Sequence, residues 1–195
     1  MSFDDADGAT PIADEELEGL IPGHIQTRAE LNAWEHLNIE SANDWVRRSR
    51  TMDVISIQFL RTLHQKMFEN TWKWAGEFRT TNKNIGVPKE RIWPELKDVC
   101  DDARHWIDNE IFSVREIAAR FHHRVVSVHP FANGNGRHAR LAADAFLLSK
   151  SEPRFSWAGQ QLQDQSDVRR QYILSLREAD RGDYQSLYDY LNIAT

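Results

Sequence analysis

The segment from His129 to Arg140 reads HPFANGNGRHAR and brings together residue types that bind anions and move protons. Pro130 disfavours helical geometry at His129, so we expect the preceding helix to end there. The Gly/Asn run 133–136 permits positive φ and leads into a further helix. A loop of this kind presents unpaired N–H groups and the positive end of a helix dipole, which together bind phosphate.

The charged side chains around this loop suit a polyphosphate. Arg137 and Arg140 follow the loop three positions apart, and guanidinium groups bind phosphate oxygens bidentately. His129 precedes the loop, and a near-neutral pKa lets it take up a proton at physiological pH. GNG alone is a common turn, and each side chain alone fits an ordinary helix end. The combined spacing is what predicts a general base, an anion hole and two cationic groups at one site.

The elements that would position this segment are helices. Helical periodicity and capping patterns predict helices from residue 27 onwards and over about 56–68, 94–109, 113–128, 136–150, 167–179 and 184–192. Thr27 and Ser113 each precede a glutamate by three residues, the pattern of a capping box. In the first helix, Leu31, Trp34 and Leu37 recur at helical spacing. Residues 71–92 are punctuated by glycine, proline and asparagine and predict a loop or small hairpin. We therefore expect an all-α, mainly helical fold.

Composition limits the class of protein. The chain has 195 residues, which is about one domain, and its 24 Lys+Arg against 30 Asp+Glu give a net charge of −6. An acidic chain is a poor candidate for coating nucleic acid, so we expect no direct nucleic-acid partner. No apolar run is long enough to span a bilayer, the acidic start lacks the features of a signal peptide, and Cys100 is the lone cysteine. These features predict a cytoplasmic protein without a membrane partner, with an arm over 1–26 and one domain over 27–195.

The loop segment also carries a family resemblance. HPFANGNGRHAR resembles the signature of Fic-domain proteins, His-x-Phe-x-Asp/Glu-Gly-Asn-x-Arg-x-x-Arg. The resemblance extends to WAGEFRTTN at 74–82, to IAARFHHRVVSVHPF and to EADRGDYQSLYDYL at 178–191, and so covers about 56–191. With DEELEGLIP near its start, the chain further resembles the subfamily called mobile mystery protein B. The resemblance implies a Fic-type helical bundle with a small β-hairpin flap.

For activity, the resemblance implies transfer of AMP from ATP to a hydroxyl group of a target protein. His129 would take the proton of that hydroxyl, and Phe131 would be buried as an anchor of the loop. Arg137 would contact the phosphates and stabilise developing charge, and Arg140 would contact the γ-phosphate. Backbone N–H groups would hold the α- and β-phosphates, with help from the Asn135 side chain, at Gly134, Asn135 and Gly136. A flap over about 79–92 would hold the target by strand addition, at Thr80, Thr81, Asn82, Ile85 and Gly86.

Asn133 departs from the family pattern, which has Asp or Glu there to hold Mg²⁺. Its neutral oxygen is a weak ligand, so we expect Mg²⁺ binding through Asn133 to be weakened. Three readings follow: slow or metal-relaxed nucleotidyl transfer, a different phosphate-containing donor, or a nucleotide-binding protein that has lost activity. The last reading is an interaction protein acting with a helix-turn-helix partner. Phosphotransfer in the manner of the Doc branch is less favoured. That branch replaces the second glycine and the final arginine of the signature, and both are present here as Gly136 and Arg140.

The resemblance also predicts regulation and partners. Many Fic proteins carry an inhibitory glutamate that pairs with the second signature arginine, and Glu18 in DEELEG fits that place except that Asp14 replaces Ser/Thr. We therefore expect Glu18 to reach Arg140, although an acidic segment of this kind is commonly a solvated turn. The subfamily is encoded beside a helix-turn-helix protein on mobile elements, which predicts such a partner and a toxin–antitoxin setting. Fic proteins often dimerise, which adds a homodimer to the expectations.

Overall fold

The computed structural model of the protein describes residues 14–48, 52–157 and 167–194, which form a helical bundle. Residues 1–13 of the expected arm lie outside the described residues. This part of the chain contains a 3₁₀ turn at Lys89–Arg91 and eight α-helices: α1 (Asp14–Leu17), α2 (Arg28–Arg48), α3 (Ile57–Phe68), α4 (Ile92–Asp108), α5 (Val114–Val128), α6 (Asn135–Ser149), α7 (Asp167–Ala179) and α8 (Gln185–Tyr190). The predicted bounds of α3 to α8 agree with these within two residues. None of the helices in the described ranges is long and apolar enough to cross a membrane.

Two helices begin at the capping boxes that the sequence predicts. At α2 the Glu30 amide donates to Thr27 Oγ1 at 3.2 Å, and the Thr27 amide donates to Glu30 Oε2 at 2.9 Å. At α5 Ser113 and Glu116 repeat both bonds, at 3.3 and 2.9 Å. Each box gives partners to amides that the helix itself cannot satisfy. The start of α5 is therefore fixed by its own sequence.

The centre of the bundle is α5, against which both α4 and α6 pack. Its apolar stripe is buried, with each of its four side chains at most 4% exposed: Ile117, Phe121, Val125 and Val128. Burial of a side chain of this size contributes about 1.5–3 kcal/mol. The loop that joins α5 to α6 is consequently anchored at both ends by buried helices.

The inward face of α2 differs from the prediction. Leu37, expected to share the apolar spacing with Leu31 and Trp34, is 65% exposed. The polar side chains of Glu35 and Asn38 are buried instead, at 1% and 8% exposure. An α-helix has 3.6 residues per turn, so positions 31, 35 and 38 lie on one side of α2, whereas position 37 points away from that side. The buried polar groups keep that stripe inward because they have partners in the rest of the protein, described below.

Of the loop and the small hairpin predicted as alternatives over 71–92, the structure has the loop, an insertion that connects α3 to α4. The described residues contain no strand, and their one β-like pairing is an isolated bridge between Leu20 and Trp72. Beside it, the Lys73 amide donates to the Gly19 carbonyl at 2.8 Å. The chain before α2 therefore lies along the start of the insertion.

Candidate active site

His129 lies at the end of α5, where the sequence places it. Its backbone adopts the left-handed conformation (φ 53°, ψ 58°), and the side chain is 8% exposed. The Nδ1–H group donates to the Val126 carbonyl, with 2.8 Å between the atoms, if the imidazole is neutral in this tautomer. That hydrogen bond leaves the lone pair on Nε2, which is then the atom that can accept a proton.

The pKa of His129 differs from the near-neutral value expected for a general base. Burial lowers the pKa of this imidazole to about 4, and the positive charges of Arg79 and Lys83 lower it further, against the effect of the Val126 hydrogen bond. The side chain is therefore neutral at physiological pH. A base with a lower pKa is weaker, so its contribution rests on its placement more than on its proton affinity.

The loop after His129 is anchored by a buried aromatic stack. Phe131 is fully buried, and its ring stacks on that of His64 with 3.7 Å between the centroids. The Gly76 amide donates to His64 Nδ1 at 2.9 Å, so the Nε2–H group of His64 donates to the Asn133 carbonyl at 3.1 Å. Burial holds the pKa of His64 well below its usual range, which keeps the ring neutral as this pair of bonds requires.

A second, local clamp closes the loop on itself. Asn135 Oδ1 accepts from the Phe131 amide at 2.9 Å, and Asn135 Nδ2 donates to the Phe131 carbonyl at 2.8 Å. Gly134 is left-handed (φ 78°), and a Cβ atom there would overlap the Phe68 ring. The Asn135 side chain thus shapes the loop, and the part of this residue that faces a ligand is its backbone N–H.

The loop delivers its backbone to the N-terminus of α6, a helix of 15 residues. A Cβ atom built on Gly136 would have a single neighbour within 4 Å, Arg140 Nη1 at 3.5 Å. Among the described residues, Arg140 is therefore the side chain that borders the space over this first turn. Unpaired amides and the positive end of the helix dipole suit an anion at this place.

Arg137 is held by groups that the sequence analysis did not identify. Its Nη1 contacts Glu35 Oε2 at 2.7 Å, its Nη2 donates to Asn133 Oδ1 at 3.3 Å, and its guanidinium lies over the Phe68 ring. The other Glu35 oxygen accepts from Trp72 Nε1 at 2.7 Å. The position of Arg137 is therefore fixed by a buried carboxylate that itself has two partners.

Asn133 offers Mg²⁺ only a neutral oxygen. Its Oδ1 already accepts from the Arg137 guanidinium, and a divalent cation there would face that positive charge directly. Within the described ranges, no group of three or more His, Cys, Asp or Glu side chains could hold a metal ion. The weakened binding of Mg²⁺ expected at Asn133 stays a prediction.

Arg140 lies on α6 beside α7 rather than beside an acidic residue of the N-terminal segment. Its guanidinium lies over the Tyr172 ring at 5.7 Å from the centroid. Asp144 follows one turn later, and burial raises its pKa to about 6, against the effects of its hydrogen bond to Trp157 and the charge of Arg154. The Arg140 guanidinium therefore lies between the Tyr172 ring and the first turn of α6 at Gly136.

The inhibitory contact expected between Glu18 and Arg140 does not occur in the described part of the chain. Glu18 follows the single turn of α1 and is exposed. Gly19 faces inward, because a Cβ atom there would overlap the Trp74 ring. Glu16 is the inward carboxylate: Lys83 Nζ contacts its Oε2 at 2.5 Å, and Thr81 Oγ1 donates to its Oε1 at 3.2 Å. Of the two glutamates described in this segment, Glu16 therefore reaches the flap, and Glu18 has no contact with Arg140.

The flap, residues 79–91, lies against His129 without forming a hairpin. Exposed and half-buried residues alternate from 80 to 87, as along a strand, and the predicted docking residues Thr81 and Ile85 fall on the half-buried side. The exposed side carries the other three: Thr80, Asn82 and Gly86. The Val87 amide donates to the Val128 carbonyl at 3.3 Å, which brings the flap to the end of α5.

Three functional residues were missed from the sequence: Glu35, His64 and Arg79. Glu35 lies four residues after Leu31 and therefore on the same side of α2. That spacing could have indicated a buried carboxylate, which needs a partner. His64 lies within the helix predicted over 56–68, but no role was predicted for it. Arg79 was named as the first residue of the flap, and no local pattern distinguishes it from an exposed arginine.

Comparison with known proteins agrees with this geometry. Residues 54–147 match the model of the Fic/DOC family. The protein adenylyltransferase fic-1 of Caenorhabditis elegans is 30% identical over 151 residues, an alignment that covers 73% of this chain and 28% of that protein. The chain thus spans about a quarter to a third of the length of the curated relatives it matches.

Solved structures agree on the fold. The structure of Fic-1 from C. elegans matches with a TM-score of 0.63 and 26% identity, covering 91% of this chain and 51% of that one. BepC from Bartonella tribocorum, solved with bound AMPPNP, matches with a TM-score of 0.67 and covers 92% of this chain and 96% of that one. Its identity of 18% shows a common fold alone.

Proposed function

Because the chain belongs to the Fic/DOC family, whose domain covers residues 54–147, we propose that it transfers AMP from ATP to a hydroxyl group of a target protein. One observation carries the proposal. The neutral His129 stands directly before a loop whose backbone is clamped at Phe131 and Gly134 and which opens α6. A proton acceptor and a phosphate-binding helix N-terminus are thereby joined by the five residues 130–134.

In the proposed reaction, the target hydroxyl oxygen attacks the α-phosphorus of ATP. His129 Nε2 takes the hydroxyl proton, the bond from the α-phosphorus to the bridging oxygen breaks, and pyrophosphate leaves. Backbone N–H groups of Gly134, Asn135 and Gly136 hold the phosphates. Arg137 stabilises their developing charge from a fixed position, and Arg140 contacts the γ-phosphate.

Asn133 attenuates this activity in our proposal. A carboxylate at position 133 would give a cation a charged ligand and would also pair with Arg137, whereas the amide does neither as strongly. The neutral Asn133 is likewise the observation that favours the second candidate, a nucleotide-binding interaction protein acting with a helix-turn-helix partner. Residues of the chain hold ATP in both cases, and the two candidates differ in whether a group is transferred.

Further proposals come from the sequence alone. The resemblance to the mobile mystery protein B subfamily supports a helix-turn-helix partner encoded nearby and a toxin–antitoxin setting. The resemblance to Fic proteins in general supports a homodimer. Length and composition support a single domain over 27–195, preceded by an arm, and a cytoplasmic location.

The test is label transfer from ATP to proteins of a cell lysate. We expect label from [α-³²P]ATP to appear on protein, His129→Ala to abolish it, and the exposed His36→Ala to leave it unchanged. Loss of a positioned general base lowers a rate by about 10²–10⁴-fold. Label from [γ-³²P]ATP alone would show a kinase. ATP binding without transfer of either label would favour the interaction protein.

Asn133→Asp tests the attenuation separately. We expect this variant to transfer label faster than the wild type, and more so when Mg²⁺ is raised, because a charged ligand is restored. Unchanged transfer at all Mg²⁺ concentrations would contradict the attenuation but not the activity.

A further inference from the structure

Arg79 is a buried residue whose guanidinium donates to three carbonyl groups and whose backbone amide donates to a fourth. The side chain is 5% exposed. Its Nε donates to the His129 carbonyl at 2.7 Å, and its backbone amide donates to the Pro130 carbonyl at 2.9 Å. On the flap, Nη1 donates to the Thr81 carbonyl at 2.8 Å and Nη2 donates to the Val87 carbonyl.

These bonds replace the ladder that a hairpin would have. Thr81 and Val87 lie six residues apart on the two arms of the flap, and no strand pairing joins those arms among the described residues. The planar guanidinium fork cross-links their carbonyls instead, which the point charge of a lysine cannot do. Asn82 Oδ1 accepts from the Lys89 amide at 2.9 Å further along the flap, so Arg79 is the side chain that ties both arms to His129.

The same fork fixes the backbone of the base. His129 is left-handed, a conformation that costs about 1–2 kcal/mol for a residue with a Cβ atom. Its carbonyl is held by Arg79 and its Nδ1 by Val126, so the ring is constrained from both sides. Gly86 lies directly on it, since a Cβ atom at position 86 would stand 2.5 Å from His129 Cβ.

The burial of Arg79 also needs an explanation beyond stability. Desolvation lowers the pKa of its guanidinium, and the nearby carboxylates of Glu16 and Glu90 raise it only in part. Burying a cation against neutral carbonyls is commonly no more stable than packing an apolar side chain there. What the arrangement provides is a fixed distance between the flap and His129.

We propose that Arg79 is the positioning residue of the active site, which sets the flap and the His129 imidazole as one rigid unit for an incoming target segment. The proposal rests on the proposed function, in which the flap holds the target and His129 takes its proton. The guanidinium of Arg79 is occupied by the carbonyls of His129, Thr81 and Val87, so Arg79 acts through His129 and the two flap carbonyls. A displaced flap would present the target hydroxyl away from Nε2, and a displacement of about 1 Å can lower a rate by about 10²-fold.

The test compares Arg79→Lys with Arg47→Lys. Lysine keeps the charge and the stem at position 79 and removes the fork. Arg47 is an exposed arginine on α2, outside the flap and the loop, paired with Asp44, and serves as the matched control. We expect Arg79→Lys to lower label transfer from [α-³²P]ATP about 10- to 100-fold. The dissociation constant for ATP should change less than twofold, and Arg47→Lys should match the wild type.

Two measurements separate positioning from activity. In hydrogen–deuterium exchange, the Val87 amide should exchange at least about tenfold faster in Arg79→Lys, while amides in the middle of α5 stay protected. In an NMR titration, the pKa of His129 should rise from about 4 towards its ordinary value as the flap ceases to bury it. Both readouts hold even if the wild type transfers no label, so failure of the proposed function leaves this proposal testable.

The outcomes decide the proposal. Faster exchange at Val87 with a raised His129 pKa supports it. Exchange and titration equal to the wild type would overturn it, whatever the transfer rate. If Arg79→Lys lost protection throughout α5 as well, Arg79 would be a general stability residue, and the positioning role would be wrong.

Discussion

The loop between α5 and α6 and the flap that faces it are fixed in opposite ways. The loop closes on itself, with Asn135 bonded to both backbone groups of Phe131 four residues away. The flap has one local closure, from the Lys89 amide to Asn82 Oδ1, and is tied to the site by Arg79, which reaches His129 fifty positions along the chain. Arg137 follows the loop in the first turn of α6. Its guanidinium pairs with Glu35, which also accepts from Trp72, and both of these residues lie far from Arg137 in the sequence. The difference separates what a local pattern determines from what only the folded chain brings together.

The largest loss of stability is expected from replacing Glu35, which pairs with Arg137 from a distant part of the sequence. Glu35→Leu leaves the Arg137 guanidinium and the Trp72 N–H group without their carboxylate, and removal of one partner of a buried pair costs about 3–5 kcal/mol. Urea unfolding should show this loss. Glu40→Leu on the exposed side of the same helix should change the free energy of unfolding by less than about 0.5 kcal/mol. Equal effects of the two substitutions would contradict a special role for Glu35.

Acid should weaken the loop through its buried histidines. Burial lowers the pKa values of His129 and His138 to about 4 in the folded protein, whereas both are near 6.5 when unfolded. The unfolded chain therefore binds more protons below pH 6.5, and stability falls as the pH drops from 6.5 towards 4. At pH 5 the loss is about 2 kcal/mol for each group.

Urea unfolding at several pH values would check this expectation. His138→Gln should reduce the slope of stability against pH between 6.5 and 5, because one of the buried groups no longer titrates. The exposed His36→Gln should leave the slope unchanged. Identical slopes for all three proteins would show that buried histidines do not control the acid response.

A change within the loop itself should have a moderate effect. Asn135→Asp places a carboxylate against the Phe131 carbonyl and removes the donor that satisfied it, which costs about 1–3 kcal/mol. Thermal unfolding and the dissociation constant for ATP should both worsen. Asn84→Asp on the exposed side of the flap is the matched substitution, and we expect it to alter neither. A loop that tolerated both would not depend on its local clamp.

The smallest effect is expected at Glu18. Because this side chain is exposed and Arg140 lies over Tyr172, Glu18→Gly should change the dissociation constant for ATP less than twofold. Glu16→Gln, which weakens the contact with Lys83, is the companion variant. A gain in ATP affinity of tenfold or more in Glu18→Gly would restore the inhibitory role predicted from the sequence.

The sequence predicted what depends on neighbours in the chain. Capping at Thr27 and Ser113, the end of α5 at His129 and the stripe through Phe121 all follow from residues within one or two turns of each other. Leu37 was wrong because apolar character alone does not show which face of α2 turns inward. The low pKa of His129 was missed because burial arises from the flap, whose packing no local pattern contains. For the same reason, neither Glu35 nor Arg79 stood out before the fold was known.

The chain of contacts from Trp72 through Glu35 to Arg137 has a consequence for how such proteins change over generations. Each of the three side chains leaves a buried polar group behind if it alone is replaced. Substitutions at these positions should therefore survive mainly in combination, although they lie in three separate parts of the sequence. Glu35 stands before the segment that the family model covers, so this constraint ties residues outside the shared domain to an arginine of its signature.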